Sequence, residues 1–489
     1  MKIWLCGLVL LVMPLFASFP NDSIVKVFAV VKQYNYQDPW YSPNIQCQEG
    51  SGFYVQDKNN ENFVMTNAHV IADASLIEVQ FSDTNEVYLA YVKTVGHDCD
   101  LAVLQVPDSR FFDGRVPLVI SDELVMRNAE VEIFTFAPGV ECSSKKGVVS
   151  DHDMQLYVHS NDVLLLTQLD VALVRGNSGS PVIYEDKVVG VIHQANDKSN
   201  VGYMIPGPVI NHFMEDCVKS KMQSYQGFPE MNLTIQVIKN SAMRNYLNLN
   251  NYNSGVLVTY VPENHFCYNA LRSGDVLIQV DGYDVDCHGF IYYKPLALHL
   301  PFIHLVSMKY FGEYVRFSVL RNGEMTHLNV YVDPLRRGTT LVKLKEYDTP
   351  PRFYIFAGLV FQPLGYSFIQ NNEFDPISFV HLWYYAIKGK VEKGRDEIVV
   401  LQRVLADSVN HGYQSLENEV IKSVNGHKIC NMLHMINVIQ TSPDLYYVFI
   451  TEDDVKIILD RQMAQIRSPQ ILKQYSIPCD RSEDLKKAI

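Results

Sequence analysis

Residues 176–192 read Gly-Asn-Ser-Gly-Ser-Pro-Val-Ile-Tyr-Glu-Asp-Lys-Val-Val-Gly-Val-Ile. Gly176 and Gly179 bracket Asn177-Ser178 and mark a tight turn that exposes Ser178. Behind it, two short β-branched runs, 181–184 and 187–192, are separated by Glu185-Asp186, which predicts a hairpin. Upstream the same grammar repeats. Short apolar runs at 53–55, 101–106, 131–136 and 163–169 lie between Gly, Pro, Asn and Asp. Many short strands at this spacing predict a mainly β unit, a sandwich or a barrel. The stretch 208–219 carries Val209, Ile210, Phe213 and Met214 at helical spacing and should close a domain spanning 24–220.

Two further segments of this domain hold reactive residue types. Thr66-Asn67-Ala68-His69-Val70 follows an apolar run, and His97-Asp98-Cys99-Asp100-Leu101-Ala102-Val103-Leu104 opens another. A serine hydroxyl is a weak nucleophile and needs a base to take its proton. Histidine is the usual base near neutral pH, and a carboxylate on its other ring nitrogen fixes the tautomer. Each residue alone is ordinary. The chain order His69, Asp100, Ser178, each at a predicted strand end, points to nucleophilic acyl transfer. The backbone around Gly176, Asn177 and Ser178 is the candidate oxyanion hole.

Beyond this domain, 231–335 centres on Gly274-Asp275 entering a strand that ends in the turn Asp281-Gly282. A third unit, 352–462, repeats the pattern with Asn418-Glu419 and Asn425-Gly426, and 463–489 reads as a loosely packed polar tail. The 489 residues, 47% of them hydrophobic, suit about three folded domains. A formal net charge of −13 argues against nucleic-acid partners, which need clustered cations. Lys2 followed by an apolar stretch to Phe16 and the small pair Ala17-Ser18 predicts a signal peptide over 1–19, too short for a span of about 20 residues. This implies a periplasmic or secreted protein with no integral membrane span after cleavage. Of nine cysteines, Cys6 falls in that segment. The others show no metal-type spacing, and Cys267 with Cys287 is either a bridge or a pair of buried thiols.

Thr-Asn-Ala-His-Val, Asp-Leu-Ala-Val-Leu and Gly-Asn-Ser-Gly, with Val201-Gly202-Tyr203-Met204-Ile205-Pro206, resemble the HtrA/DegP (Deg) family of serine proteases. The resemblance covers most of the chain. The third unit, through Phe356-Ala357-Gly358-Leu359-Val360-Phe361, resembles the plant-type branch. It implies a chymotrypsin-like double β-barrel followed by two PDZ-like modules. It further implies an endopeptidase that needs no ATP, metal or other cofactor, acts on unfolded or damaged polypeptides in the cell envelope, and forms homo-oligomers built from trimers, in some members hexamers. It places Tyr246, Leu247, Asn248 and Leu249 at the carboxylate-binding loop of the first module, although Asn248 replaces the family's glycine. Val174 and Ser180 depart from the family's Asn and Gly. Ala172 would floor the primary pocket, Ile205 would wall it, and Ile192, His193 and Gln194 would pair with substrate backbone. Without a carboxylate at Ala172, cleavage after Val, Ala, Ile, Thr or Leu is expected. Phe28, Tyr34, Tyr36, Trp40 and Tyr41 are candidate trimer contacts.

Two other readings compete. An α/β-hydrolase esterase wants Gly-x-Ser-x-Gly and the order Ser, Asp, His, whereas Ser180 stands at the last glycine here. A PDZ-bearing chaperone or scaffold with a dormant protease domain would carry the same modules, and casein cleavage separates it from an active enzyme.

Overall fold

The computed structural model describes residues 20–136, 142–196, 201–219, 225–249, 255–336, 340–343, 345–370, 380–389, 391 and 394–487. The expected signal peptide lies outside these residues. Six strands, β1 (Ile24–Gln33), β2 (Asn44–Gln56), β3 (Asn62–Thr66), β4 (Ala74–Phe81), β5 (Tyr88–Gly96) and β6 (Leu101–Gln105), close a first barrel in the order β1-β2-β3-β6-β5-β4. Six more, β7 (Glu130–Thr135), β8 (Ser143–Leu156), β9 (Val163–Asp170), β10 (Pro181–Tyr184), β11 (Lys187–Asn196) and β12 (Val201–Pro206), close a second in the order β10-β11-β12-β9-β8-β7. The predicted hairpin is β10–β11. The predicted helix is α2 (Gly207–Lys219), numbered after the single turn α1 (Ala68–Ile71).

Alternation drives the packing. Along β1, Val25, Val27, Ala29 and Val31 point inward with Tyr54, Val64 and Leu104. Opposite faces contribute to a cluster between the barrels, where Phe53, Met65 and Leu101 meet Leu165, Val191 and Phe213 of α2. Burying such side chains contributes about 1.5–3 kcal/mol each. The loops that carry His69, Asp100 and Ser178 are thereby held on two closed sheets.

The second unit is a sheet built on 234–237, 256–260, 276–280, 314–321 and 324–331, with a short helix, α3 (Ser241–Tyr246). The third is built on 354–356, 359–363, 399–404, 419–424, 446–451 and 456–460. The shared grammar has one backbone cause. Gly274 and Asn418 both take positive φ (98° and 58°) on entering a strand, and Asp281-Gly282 and Asn425-Gly426 form left-handed turns with φ of 48° and 84° against 47° and 79°. Asn tolerates that region because its side chain bonds locally. Asp275 is buried as the partner of Arg321, at 2.8 and 2.7 Å.

One expectation is corrected. The stretch after 462 is folded: helix Arg461–Gln474 buries Ala464 and Ile471 in the third unit, as does Leu485 beyond it. Those few apolar residues were too sparse to give a helical period. Of the two readings left open for Cys267 and Cys287, the structure has the free thiols, with Cys267 buried and Cys287 half-buried. Trp40 lies against Phe353 and beneath Arg403 of the third unit, while Gln362 and Gln402 donate to the Tyr36 carbonyl at 2.6 and 3.0 Å. Trp40 and the Tyr36 carbonyl thus make their contacts within the chain itself, while Tyr41 is exposed.

Candidate active site

The Ser178 loop crosses onto the first barrel through Ser51 of β2. The Ser51 N–H donates to the Ser178 carbonyl at 2.8 Å, and its hydroxyl donates to the Gly176 carbonyl at 2.9 Å and accepts from the Phe136 N–H at 3.1 Å. Thr66 donates to the Ser51 carbonyl at 2.7 Å. Gly179, at φ +84°, sits so tightly that an added Cβ would lie 2.0 Å from the Ser51 oxygen. The N–H groups of Asn177, Gly179 and Ser180 are used within the loop or on β11. Among the described residues those of Gly176 and Ser178 donate to no protein acceptor, which leaves two donors for an oxyanion. The Asn177 side chain does not join them. It is buried, donates to Thr135 at 2.6 Å and accepts from the Val174 N–H at 2.8 Å, pinning the loop from inside.

Asp100 is fully buried and held in the left-handed region at φ 54°. Its carbonyl accepts from the Asn67 side chain at 2.9 Å and the Ala68 N–H at 3.1 Å, which is why Asn67 precedes the histidine. Its carboxylate accepts from the His69 backbone N–H at 2.7 Å and from His69 Nδ1–H at 2.7 Å. Burial works to raise the Asp100 pKa. The His69 charge and the hydrogen bonds of two histidines outweigh it and hold the carboxyl well below its usual range. Burial likewise works to lower the His69 pKa, and the Asp100 charge and hydrogen bond leave it above the ordinary imidazole value. His69 Nε2 and Ser178 Oγ do not hydrogen-bond to each other. Such contacts often tighten only when substrate binds.

Neighbouring Asp98 has a different task. It accepts from Tyr225 at 2.8 Å and the Phe228 N–H at 2.9 Å, anchoring the chain after α2. His193 lies at the register break between β11 and β12, and its side chain reaches Asp100 rather than substrate. Ligand atoms of His69, Asp100 and His193 lie within 4.8 Å of one another, close enough for a metal ion, but hydrogen bonds to one carboxylate already account for the arrangement.

Several expected binding residues fall elsewhere. Ala172 is exposed, and its carbonyl accepts from Lys145 at 3.1 Å, so it is not a pocket floor. Leu173 turns inward instead and takes the space a side chain at Gly202 would need, 2.5 Å away. Ile205 has no exposed surface and belongs to the core, so it cannot wall an open pocket. Ile192 uses its N–H and carbonyl on Ser180 and Gly179. Gln194 accepts from the Val158 N–H at 3.2 Å. Tyr246 ends α3, and the N–H groups of Leu247, Asn248 and Leu249 donate to carbonyls of that helix. They are occupied and offer no cradle for a peptide carboxylate.

Sequence reasoning missed a strap from outside the barrels. Tyr347, between the second and third units, stacks on His159 (4.0 Å) and His97 (4.8 Å) and donates to the His159 carbonyl at 2.7 Å. Lys345 donates to the Val158 carbonyl at 2.7 Å, and His97 meets Asp348 at 3.1 Å. His159 lies 6.2 Å from the His69 ring, and burial pushes its pKa down to about 3. No signal in 340–350 announces this contact.

Comparison with known proteins agrees with this architecture. The trypsin-like peptidase domain family matches residues 50–191, and the PDZ domain family matches 342–484. Protease Do-like 4, mitochondrial, of Arabidopsis thaliana is 31% identical over 463 residues, covering 94% of this chain and 85% of the relative. Protease Do-like 2, chloroplastic, of the same plant is 31% identical over 476 residues, covering 96% and 76%. A solved variant of the HtrA-type protease AlgW with decapeptide matches with a TM-score of 0.50 at 18% identity, over 64% of this chain and 94% of that one. The doubly barrelled catalytic region and the matched PDZ domain are those of the Do-like (HtrA/Deg) serine proteases, and this chain, a serine endopeptidase, belongs to that family.

Proposed function

We propose that Ser178 is the nucleophile, His69 the general base and Asp100 the orienting carboxylate of an ATP-independent endopeptidase for unfolded or damaged polypeptides. The observation that carries this reading is the His69 Nδ1–Asp100 bond of 2.7 Å on a barrel to which the Ser178 loop is itself bolted through Ser51. In this mechanism Ser178 Oγ attacks the scissile carbonyl as its proton passes to His69 Nε2. The free N–H groups of Gly176 and Ser178 receive the oxyanion. His69 returns the proton to the leaving amine, and water then repeats the sequence on the acyl-enzyme. Cleavage after Val, Ala, Ile, Thr or Leu is the specificity we assign to this endopeptidase, and mass spectrometry of casein fragments tests it.

The second unit serves as a further PDZ-like module and the assembly as a homo-oligomer of trimers. The basic-apolar N-terminus supports export to a periplasm or beyond. The Arabidopsis relatives carry mitochondrial and chloroplastic names, so cell fractionation that finds the protein inside an organelle would replace that placement. Among the described residues no helix is long and apolar enough to cross a membrane. The decisive assay incubates unfolded casein with wild type and with Ser178→Ala. Cleavage by the first alone is expected, and equal cleavage by both rejects the assignment.

A further inference from the structure

We propose that His193 is a positioning residue of this catalytic apparatus: contributed by the second barrel, it holds the Asp100 carboxylate of the first barrel beneath His69. The inference rests on the catalytic reading of His69, Asp100 and Ser178. His193 Nδ1–H donates to Asp100 Oδ2 at 2.6 Å, the same oxygen that accepts from His69 Nδ1–H at 2.7 Å, while Oδ1 accepts from the His69 backbone at 2.7 Å. Three donors from two barrels thus fix both oxygens, and the carboxylate cannot rotate without breaking a charge-assisted bond. The register break between Ile192 and Gln194 is what aims the ring inward, a common use of a β-bulge.

Its Nε2 is buried and has no hydrogen-bond partner among the described residues, so Nδ1 is the one ring nitrogen of His193 seen to engage a partner, and that partner is Asp100. Tyr157 lies over the ring at 4.7 Å and is itself locked by its hydroxyl on the Leu165 carbonyl at 2.9 Å. His193 therefore acts as a fixed donor that draws charge from Oδ2. The carboxylate becomes a weaker partner for the His69 cation, which tempers the rise that Asp100 imposes on the His69 pKa. The other titratable groups on this side are His159, held neutral by burial, and Lys345 and Tyr347 of the strap, each within electrostatic reach of Asp100.

The test uses the full-length protein, after wild-type cleavage of casein has been established. An inactive wild type refutes the functional reading itself and is thereby distinguished from failure of this proposal. His193→Phe keeps a ring and removes the donor; His193→Asn keeps a donor. His193→Phe should lower kcat about 10- to 100-fold with little change in KM, and should move the acid limb of the kcat profile to higher pH. His193→Asn should recover most of the kcat. In protein labelled with ¹⁵N-histidine, wild type should show two low-field Nδ1–H protons on Asp100 and His193→Phe one. An acid limb that is unmoved or lowered in His193→Phe overturns the proposal, whatever the loss of kcat. If that variant fails to fold by thermal melt, the wild-type spectrum decides alone, and a single low-field proton overturns the proposal.

Discussion

Gly179→Ala isolates the geometry on which the proposed nucleophile, Ser178, depends. The new Cβ would stand 2.0 Å from the Ser51 carbonyl oxygen and 2.6 Å from Thr66 Oγ1, where ordinary contact begins at 3.4 Å. The Ser51 carbonyl cannot retreat, since it lies in β2 and accepts from Thr66 at 2.7 Å. The serine loop must therefore back off by about 1.4 Å, and the left-handed φ of +84° adds roughly 1–2 kcal/mol of strain for alanine. Misplacement by about 1 Å lowers rates on the order of 10²-fold. We expect kcat/KM on unfolded casein and on a fluorogenic peptide to fall at least about 100-fold, equivalent to about 2.7 kcal/mol of barrier. A circular dichroism melt run alongside should show both barrels still folded. A folded Gly179→Ala protein that retains kcat/KM within about tenfold of wild type would refute the claim that this contact sets the position of Ser178.

Further outcomes follow from the same contacts. Because His69 must be neutral to accept the proton and its pKa is raised, activity should be lost as pH falls through a midpoint above about 6.5; a midpoint clearly below that contradicts the Asp100 pairing. Ser51→Ala leaves the Phe136 N–H and the Gly176 carbonyl short of a partner, at about 1–3 kcal/mol each, so a lower melting temperature and a reduced kcat are expected together, and a drop in one alone counts against the bolt. Tyr347→Ala removes two ring stacks and a hydrogen bond, so the strap should become sensitive to limited proteolysis and KM for casein should rise; unchanged values detach the strap from the cleft. Trp40→Ala should destabilise by about 3–5 kcal/mol in a denaturant melt while leaving the light-scattering mass unchanged, and a loss of mass would restore the segment as an oligomer contact.

The barrels, the β10–β11 hairpin and α2 were legible because each buries one face and so writes a short period into the chain. The turn residues of the later units were legible because left-handed backbone selects Gly, Asn and Asp. Ser178, His69 and Asp100 could be nominated from the sequence because acyl transfer restricts which side chains suffice, and the pairing of His69 with Asp100 is present in the structure. Much of the site was not. Asp98 and Asp100 share one motif, and only the packing of Tyr225 and Phe228 makes the first an anchor while His69 claims the second. Ser51, His193 and Tyr347 reach Gly176, Asp100 and His159 from 125, 93 and 188 residues away in sequence. Tyr246–Leu249 matched a binding loop by residue type, yet its donors close a helix. Residue type and local period are written in the chain because they act over a few neighbours. Which donor meets which acceptor depended on how two closed barrels and their flanking units pack together, and that long-range burial is decided only in the tertiary structure.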